Sequence, residues 1–379
     1  MSRSPKDIKV FLALLRAGLW GSSNQDIRID SPTDWDSIYQ LAQEQSVQGL
    51  VLQGIEELKA KDIELSVPKV LLLQWIGEVQ VIEQRNKEMN AFVAELIEKL
   101  RKEDIYTILV KGQGIAQCYE NPLWRASGDV DLLLDTENFN RAKTLLFPLA
   151  SVIEAEFEYS QHLALTIDRW EIELHGTMRC GLTKKMDNFL DRIQKEMLTN
   201  KEFRVWNNAG TEILLPAYDN DIVFIFTHFI KHFFKGGIGL RQICDWCRLL
   251  WTYRERIDND LLEKRLNEMG LITEWKAFAA LAVKFLDYPC SAMPLYGGSI
   301  KWYNKAKKIL GIVIETGNFG HNRNMEYYNN SSYVVKKLMS FWKHTCDSIQ
   351  HFMIFPLDSF KAWNKMIFVG IRFIITGKQ

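Results

Sequence analysis

The segment from Leu109 to Asp135, LVKGQGIAQCYENPLWRASGDVDLLLD, constrains the fold more than any other part of the chain. It holds a short apolar run ending in a Lys111-Gly112 turn, then a second run in which Asp129 and Asp131 flank a valine. On a strand, residues i and i+2 point to one face. The two carboxylates therefore stand side by side, while Val130 and Leu132 face the other way. Such a strand needs a sheet with one apolar face against a core and another face open to something that neutralises charge. Two ionised carboxylates this close repel, and in apolar surroundings one takes up a proton. A divalent cation keeps both charged. Magnesium prefers oxygen ligands and is held by one or two carboxylates plus substrate phosphates. The plainer alternative is two solvated aspartates at a strand mouth.

Two glycines frame the pair. Gly128 lets a backbone or ligand approach closely just before it. Gly112 breaks a strand–turn–helix, the geometry in which backbone N–H groups receive a triphosphate.

The surrounding pattern predicts an α+β fold. Residues 1–104 read as helical: Thr33-Asp34 caps a helix carrying Trp35, Ile38, Tyr39 and Leu41. Pro68 opens a long amphipathic stretch, with apolar residues from Leu72 to Leu100 at steps of three and four. From about residue 105 the texture changes. YTILVKG reads as a strand and turn, 113–119 as a short helix, DVDLLLD as a strand, and 137–147 as a helix with Phe139, Ala142, Leu145 and Leu146 on one side. SVIEAEFEY, HLALTI and WEIELHG read as further strands of a sheet. FRVWNNAGTEILLP reads as a hairpin around Asn207-Asn208-Ala209-Gly210. From Tyr218 onward the pattern is helical, with one break at Gly236-Gly237-Ile238-Gly239. The expected organisation is an N-terminal helical region over 1–104, a small mixed-sheet core over 105–216, and a C-terminal helical domain over 217–379.

WEIELHG alternates, so Glu171, Glu173 and His175 share one face. Either glutamate is a candidate third carboxylate, and the other reading is an exposed strand glutamate. Lys111 and Arg125 are the nearest basic residues, Arg suited to bidentate phosphate contact and Lys to a point charge. His228 and His232 lie at i and i+4 in THFIKHFF, but Phe229 stands where a metalloprotease motif needs Glu. They read as histidines flanking a cleft. Arg241 and Asp245 also lie at i and i+4, as an ion pair or as contacts to a ligand.

These residues together resemble the DNA polymerase β-type nucleotidyltransferases, whose pattern is an apolar strand, a Gly-Gly or Gly-Ser turn, Asp-x-Asp on the next strand, and a later third carboxylate. Within that superfamily the chain is most similar to a bacterial group of uncharacterised nucleotidyltransferases. The similarity rests on Lys111-Gly112, Arg125, Gly128-Asp129-Val130-Asp131-Leu132-Leu133, Glu173-Leu174-His175 and GGIGLRQICDW at 236–246. It spans about 30–350. Gln113 departs from it, standing where the superfamily has Gly or Ser, and the turn-to-Asp129 spacing is longer. The resemblance implies a metal-dependent enzyme that moves an NMP group from an NTP, ATP among them, to an acceptor hydroxyl. It implies two Mg²⁺ ions, or Mn²⁺ in their place, on Asp129, Asp131 and Glu173. Nucleotide contacts fall to Lys111, Gly112, Gln113, Arg125, Gly128 and Arg241. The alternative is a catalytically inactive nucleotide-binding or scaffold protein that keeps the fold.

The remaining features narrow the partners. Formal net charge is zero, which excludes a polycation of the nucleic-acid-coating kind. The stretch 332–379 is locally basic, with seven Lys or Arg against two Asp, and carries Phe341, Trp342, Phe352, Phe355, Phe360, Trp363, Phe368 and Phe373. That composition suits nucleic acid or a membrane surface, or else a packed terminal helical pair with a solvated basic face. Six cysteines without repeated spacing fit reduced thiols and a cytoplasmic setting. Cys244 and Cys247 form a lone CxxC inside a helical pattern and read as core. Arg16 and Asp7 argue against a signal peptide, and no apolar run is long enough for a transmembrane helix.

Overall fold

The computed structural model describes residues 4–21, 33–235, 237–318 and parts of 345–367. Helices come first: α1 (Pro5–Trp20), α2 (Trp35–Glu44), α3 (Gln48–Lys59) and α4 (Lys69–Lys102). Asp34 caps α2 by accepting from the Ser37 N–H, satisfying one of the amides a helix start leaves open. Helix α4 starts after Pro68 and, at 34 residues, is about 51 Å long. Helices α1 and α3 cross backbone to backbone. A Cβ on Gly18 would sit 1.9 Å from Leu50 O, and one on Gly54 1.9 Å from Leu14 O.

The middle of the chain builds the sheet. It runs β1 (Ile108–Val110), α5 (Gly112–Ala116), β2 (Asp129–Leu133), α6 (Thr136–Leu146), β3 (Val152–Ile153), β4 (His162–Ile167) and β5 (Trp170–His175). Spatial order is β1-β2-β5-β4-β3. Only β2 and β5 are parallel; the other pairs are antiparallel. One face is dry. Val130, Leu132, Leu163, Leu165, Ile172 and Leu174 are buried with Met89, Val93 and Leu96 of α4 and Phe139 and Leu146 of α6. Each such side chain contributes about 1.5–3 kcal/mol of burial. The other face carries the charged residues.

After the sheet come α7 (Lys184–Asn200), β6 (Phe203–Asn208), β7 (Thr211–Pro216), α8 (Tyr218–Lys235), α9 (Leu240–Tyr253), α10 (Asn259–Met269), α11 (Ile272–Phe285) and α12 (Ile300–Thr316). The early and late helices share one apolar core. Arg248 donates to Leu19 O at 2.6 Å, while Gln45 donates to Val313 O and accepts from Leu240 N.

The fold is thus the expected α+β arrangement, a small mixed sheet with helices before and after it. Two local expectations change, and that of a hairpin over 203–216 is met. SVIEAEFEY keeps strand structure only at Val152–Ile153. It lies at the sheet edge, and Val152, Ile153, Phe157 and Tyr159 are all exposed. The 203–216 hairpin forms a separate two-stranded sheet, turning through Ala209 and Gly210 at positive φ. Helix α7, capped by Thr183, adds an element to the core that the strand reading had not included.

Gly236 lies outside the described residues, as do Phe341, Trp342, Phe368 and Phe373 of the basic tail. Of that tail, Phe355 is buried and its ring lies 6.2 Å from Phe233, whereas Phe352 and Phe360 are about half exposed. Among the described residues, no helix is long and apolar enough to cross a membrane.

Candidate active site

Strand register decides which acidic residues meet. In the parallel β2–β5 ladder Asp129 pairs with Glu171, Asp131 with Glu173, and Leu133 with His175. Carboxylate oxygens of Asp129, Asp131 and Glu173 come within 4.8 Å of one another. Glu171 points to the same face but lies outside that group and is exposed. Of the two candidate glutamates, Glu173 is therefore the one that joins the aspartates.

Charge in this group is in surplus. Asp131 is buried, and burial, reinforced by Asp129 and Glu173, pushes its carboxyl up to about 6 despite the nearby Lys111. Glu173 moves the opposite way. Burial resists its ionisation, but hydrogen bonds from His162 and His175 and the Lys111 charge hold it well below the usual range. Among the described residues, the ammonium in contact with these carboxylates is that of Lys111, which touches Asp131 directly and lies 3.7 Å from Glu173. The carboxylates hold Lys111 above its ordinary pKa even though burial opposes it.

Lys111 reaches this place through an unusual backbone. It sits between β1 and α5 at φ 58, ψ −147, followed by Gly112 at φ 36. A side chain other than glycine at positive φ carries strain of order 1–3 kcal/mol, and such strain collects at functional sites. Here the turn directs Lys111 back onto β2. Gln113 goes elsewhere: its side chain is buried against Met89 of α4, away from the residues that line the cleft. Gly128 has ordinary φ, and a Cβ there would meet no protein atom within 4 Å. The protein itself does not require glycine at 128; the space in front of it is cleft.

The opposite wall comes from α8 and α9, which contribute Ile225, His228, Phe229, Arg241, Gln242 and Asp245. Arg125 does not stand free at this wall. Its Nε and Nη2 donate to the two oxygens of Asp245 at 2.8 and 2.7 Å, and Tyr119 donates to the same carboxylate at 2.7 Å. The sequence left Arg241 and Asp245 open as an i,i+4 ion pair or as contacts to a ligand. Arg125 takes the carboxylate instead, while Arg241 Nη1 donates to Ala126 O at 2.7 Å. These bonds, with Asn86 donating to Leu123 O and Arg125 O, pin the loop between α5 and β2. His228 lines the cleft with its ring 4.6 Å from that of His232. Burial keeps both neutral, pushing His228 well down and His232 to about 3. Cys244 and Cys247 are buried in α9, their thiols pushed up by burial.

One residue at the site escaped sequence reasoning. His162 on β4 is the direct cross-strand partner of His175, and its Nε2 lies 3.3 Å from Glu173 Oε2. The signal was present. HLALTI and WEIELH are separated by Asp168-Arg169, and a two-residue loop sets the register that places 162 opposite 175.

A mixed sheet brings carboxylates together from two neighbouring strands opposite a helical pair, and the match to a family model places the chain among the nucleotidyltransferases. More particularly, the chain belongs to the family of uncharacterised nucleotidyltransferases, whose model matches residues 31–287. No curated protein matches it. One solved structure, an antigenic nucleotidyltransferase-like protein from Paracoccidioides brasiliensis, is similar at 16% identity over 54% of this chain and 96% of its own, with a TM-score of 0.33.

Proposed function

We propose that the protein transfers an NMP group from an NTP to an acceptor hydroxyl, releasing pyrophosphate, at the cleft between the sheet and α8–α9. One observation carries the reading: Asp129, Asp131 and Glu173 bring carboxylate oxygens within 4.8 Å of one another beside a turn built from Lys111 and Gly112. The donor set is all oxygen and in charge surplus, which fits magnesium, or manganese in its place. Asp129 and Asp131 would hold both ions, with Glu173 on the acceptor side. When bound, the ions supply the positive charge that lowers the acceptor's pKa and clamps the attacking and leaving oxygens.

The chain's own residues supply the rest. Gly112, which leads α5, lines the cleft. Gly128 leaves room for the substrate. Arg241 presents a guanidinium from α9 toward the phosphates. Lys111, released from Asp131 once that carboxylate is neutralised by a ligand, is placed to follow the phosphate charge. Arg125 acts through Asp245 to hold the loop rather than as a direct contact. Catalysis of this kind is positioning and charge stabilisation.

The rival reading is a fold retained for binding or scaffolding without chemistry. It is favoured by the Lys111 ammonium, which already neutralises Asp131, and by Gln113, whose side chain leaves the turn. Incubating the purified protein with each labelled NTP, magnesium and a cell lysate, then locating the label, separates the two. Label transferred in wild type and absent in Asp129→Asn supports the enzyme. NTP binding without transfer in any lysate fraction supports the rival.

A further inference from the structure

Beside the all-oxygen group stands a second set of ligand atoms of different chemistry. His162, Glu173 and His175 also bring one ligand atom each within 4.8 Å of one another. Both imidazoles aim Nε2 at the same carboxylate oxygen, Glu173 Oε2, from 3.3 Å for His162 and 3.2 Å for His175. A tetrahedral ion with bonds of about 2.0–2.1 Å has ligand-to-ligand edges of about 3.3–3.4 Å. Those separations already match that edge.

We propose that His162, Glu173 and His175 form a transition-metal site, with Zn²⁺ the best-fitting ion, distinct from the all-oxygen site and joined to it through Glu173. The ligand types select the ion. Imidazole suits zinc and its first-row neighbours, whereas magnesium takes oxygen ligands. The scaffold is rigid: His162 and His175 face each other across the β4–β5 ladder, with ring centroids 4.9 Å apart. On the β4 side the cross-strand partner of Glu173 is Ala164, a methyl group, while on the β2 side it is Asp131. Access is open, since the side chains of His162, Glu173 and His175 are 24%, 21% and 13% exposed. Three protein ligands leave a fourth position vacant, which is the arrangement of a reactive rather than a purely structural zinc. Asp131 Oδ1 lies 2.8 Å from His175 Nε2, at the edge of the group. The hydrogen-bonding alternative, in which the two imidazoles merely orient Glu173, uses the same contacts and is separated by experiment.

The site shares Glu173 with the proposed transfer centre, but its existence does not rest on transfer. The test uses the full chain, stripped with chelator and titrated with Co²⁺ and then Zn²⁺. The expected result is one Co²⁺ per chain with the intense visible bands of four-coordinate cobalt, displaced by Zn²⁺. Zinc retained through gel filtration should persist in Asp129→Asn. It should bind at least about 100-fold more weakly in His162→Gln and His175→Gln, since losing a ligand costs no less than losing a group that orients one. Weak octahedral cobalt bands in wild type, or wild-type zinc retention in both histidine variants, would overturn the proposal. If the histidine variants do not melt cooperatively, the wild-type cobalt spectrum alone decides. Transfer is assayed separately with magnesium. Zinc bound without transfer removes the enzymatic reading and leaves this site. Transfer without zinc binding removes this site and leaves the enzyme.

Discussion

Two groups of charge face each other across the cleft, and they differ in balance. On the helical side, Arg125 and Asp245 meet in a bidentate pair, closed further by Tyr119. All three side chains are buried, and the donors and acceptors answer one another. On the sheet side, Asp129, Asp131 and Glu173 face one lysine, and two histidines lean on the carboxylates. The first group is architecture. It ties a loop of the sheet core to α9, and an external ligand would have to break it. The second group sets three carboxylates against one lysine, and on the proposed reading a cation from outside completes it. A balanced buried cluster and an unbalanced one can look alike as sequence, yet they make opposite predictions under mutation.

The largest difference concerns activity. Asp129→Asn and Asp131→Asn are expected to lower nucleotidyl transfer by about 10³-fold or more, since the bound ions stabilise several kcal/mol of transition-state charge. Their denaturant midpoints at pH 8 should equal or exceed wild type, because a repelling carboxylate is gone. If either variant unfolds, the sheet-side group is structural and the contrast fails.

Asp245→Asn should do the reverse. Breaking a buried pair leaves Arg125 uncompensated at a cost of about 3–5 kcal/mol, read by urea unfolding. A loss below 1 kcal/mol would mean that the pair is not the closed cluster described.

Magnesium sharpens the contrast. At a hundred times its dissociation constant it should add about 2.7 kcal/mol to wild-type stability, and little to Asp131→Asn. Equal stabilisation of both by thermal melting would place the ion elsewhere.

The smallest effect lies in the helical wall. Burial, together with Lys231 and Lys111, lowers His232 to about 3. A lowered base contributes stability that is present above its unfolded pKa of about 6.5 and is lost as pH falls toward 3. Its share of the slope is at most about 1.4 kcal/mol per pH unit. His232→Gln should flatten the stability profile over that window and leave it unchanged above pH 7.

How much of this could be read in the sequence follows the range of the interactions. The period of two placed Asp129 and Asp131 on one face, and the spacing of apolar residues placed α4, because both are local signals. The choice between Glu171 and Glu173 is not local, since it depends on the offset of a parallel pairing. The bidentate partner of Asp245 was unreadable, because Arg125 lies far away in sequence and only the i,i+4 neighbour Arg241 is a local signal. Gln113 looked like a turn residue because the turn is strained at Lys111, one position before the helix buries its next side chains. His162 was the readable omission, since a two-residue loop fixes its register.

The one parallel pairing in the sheet also has a consequence in time. Strands β2 and β5 are joined through α6, β3 and β4, so Asp131 and Glu173 become neighbours only after that whole excursion has returned and docked. Non-local pairings of this kind close late, because the loop entropy is spent before the contacts form. Helix α4 and the β4–β5 hairpin can take shape from near-neighbour contacts, whereas the Asp131–Glu173 pairing cannot. In refolding, the ability to hold a divalent ion should therefore appear after most of the helical signal has returned. A metal-sensing probe recovering in step with the earliest helix formation would show that β2 and β5 meet sooner than their separation in the chain implies.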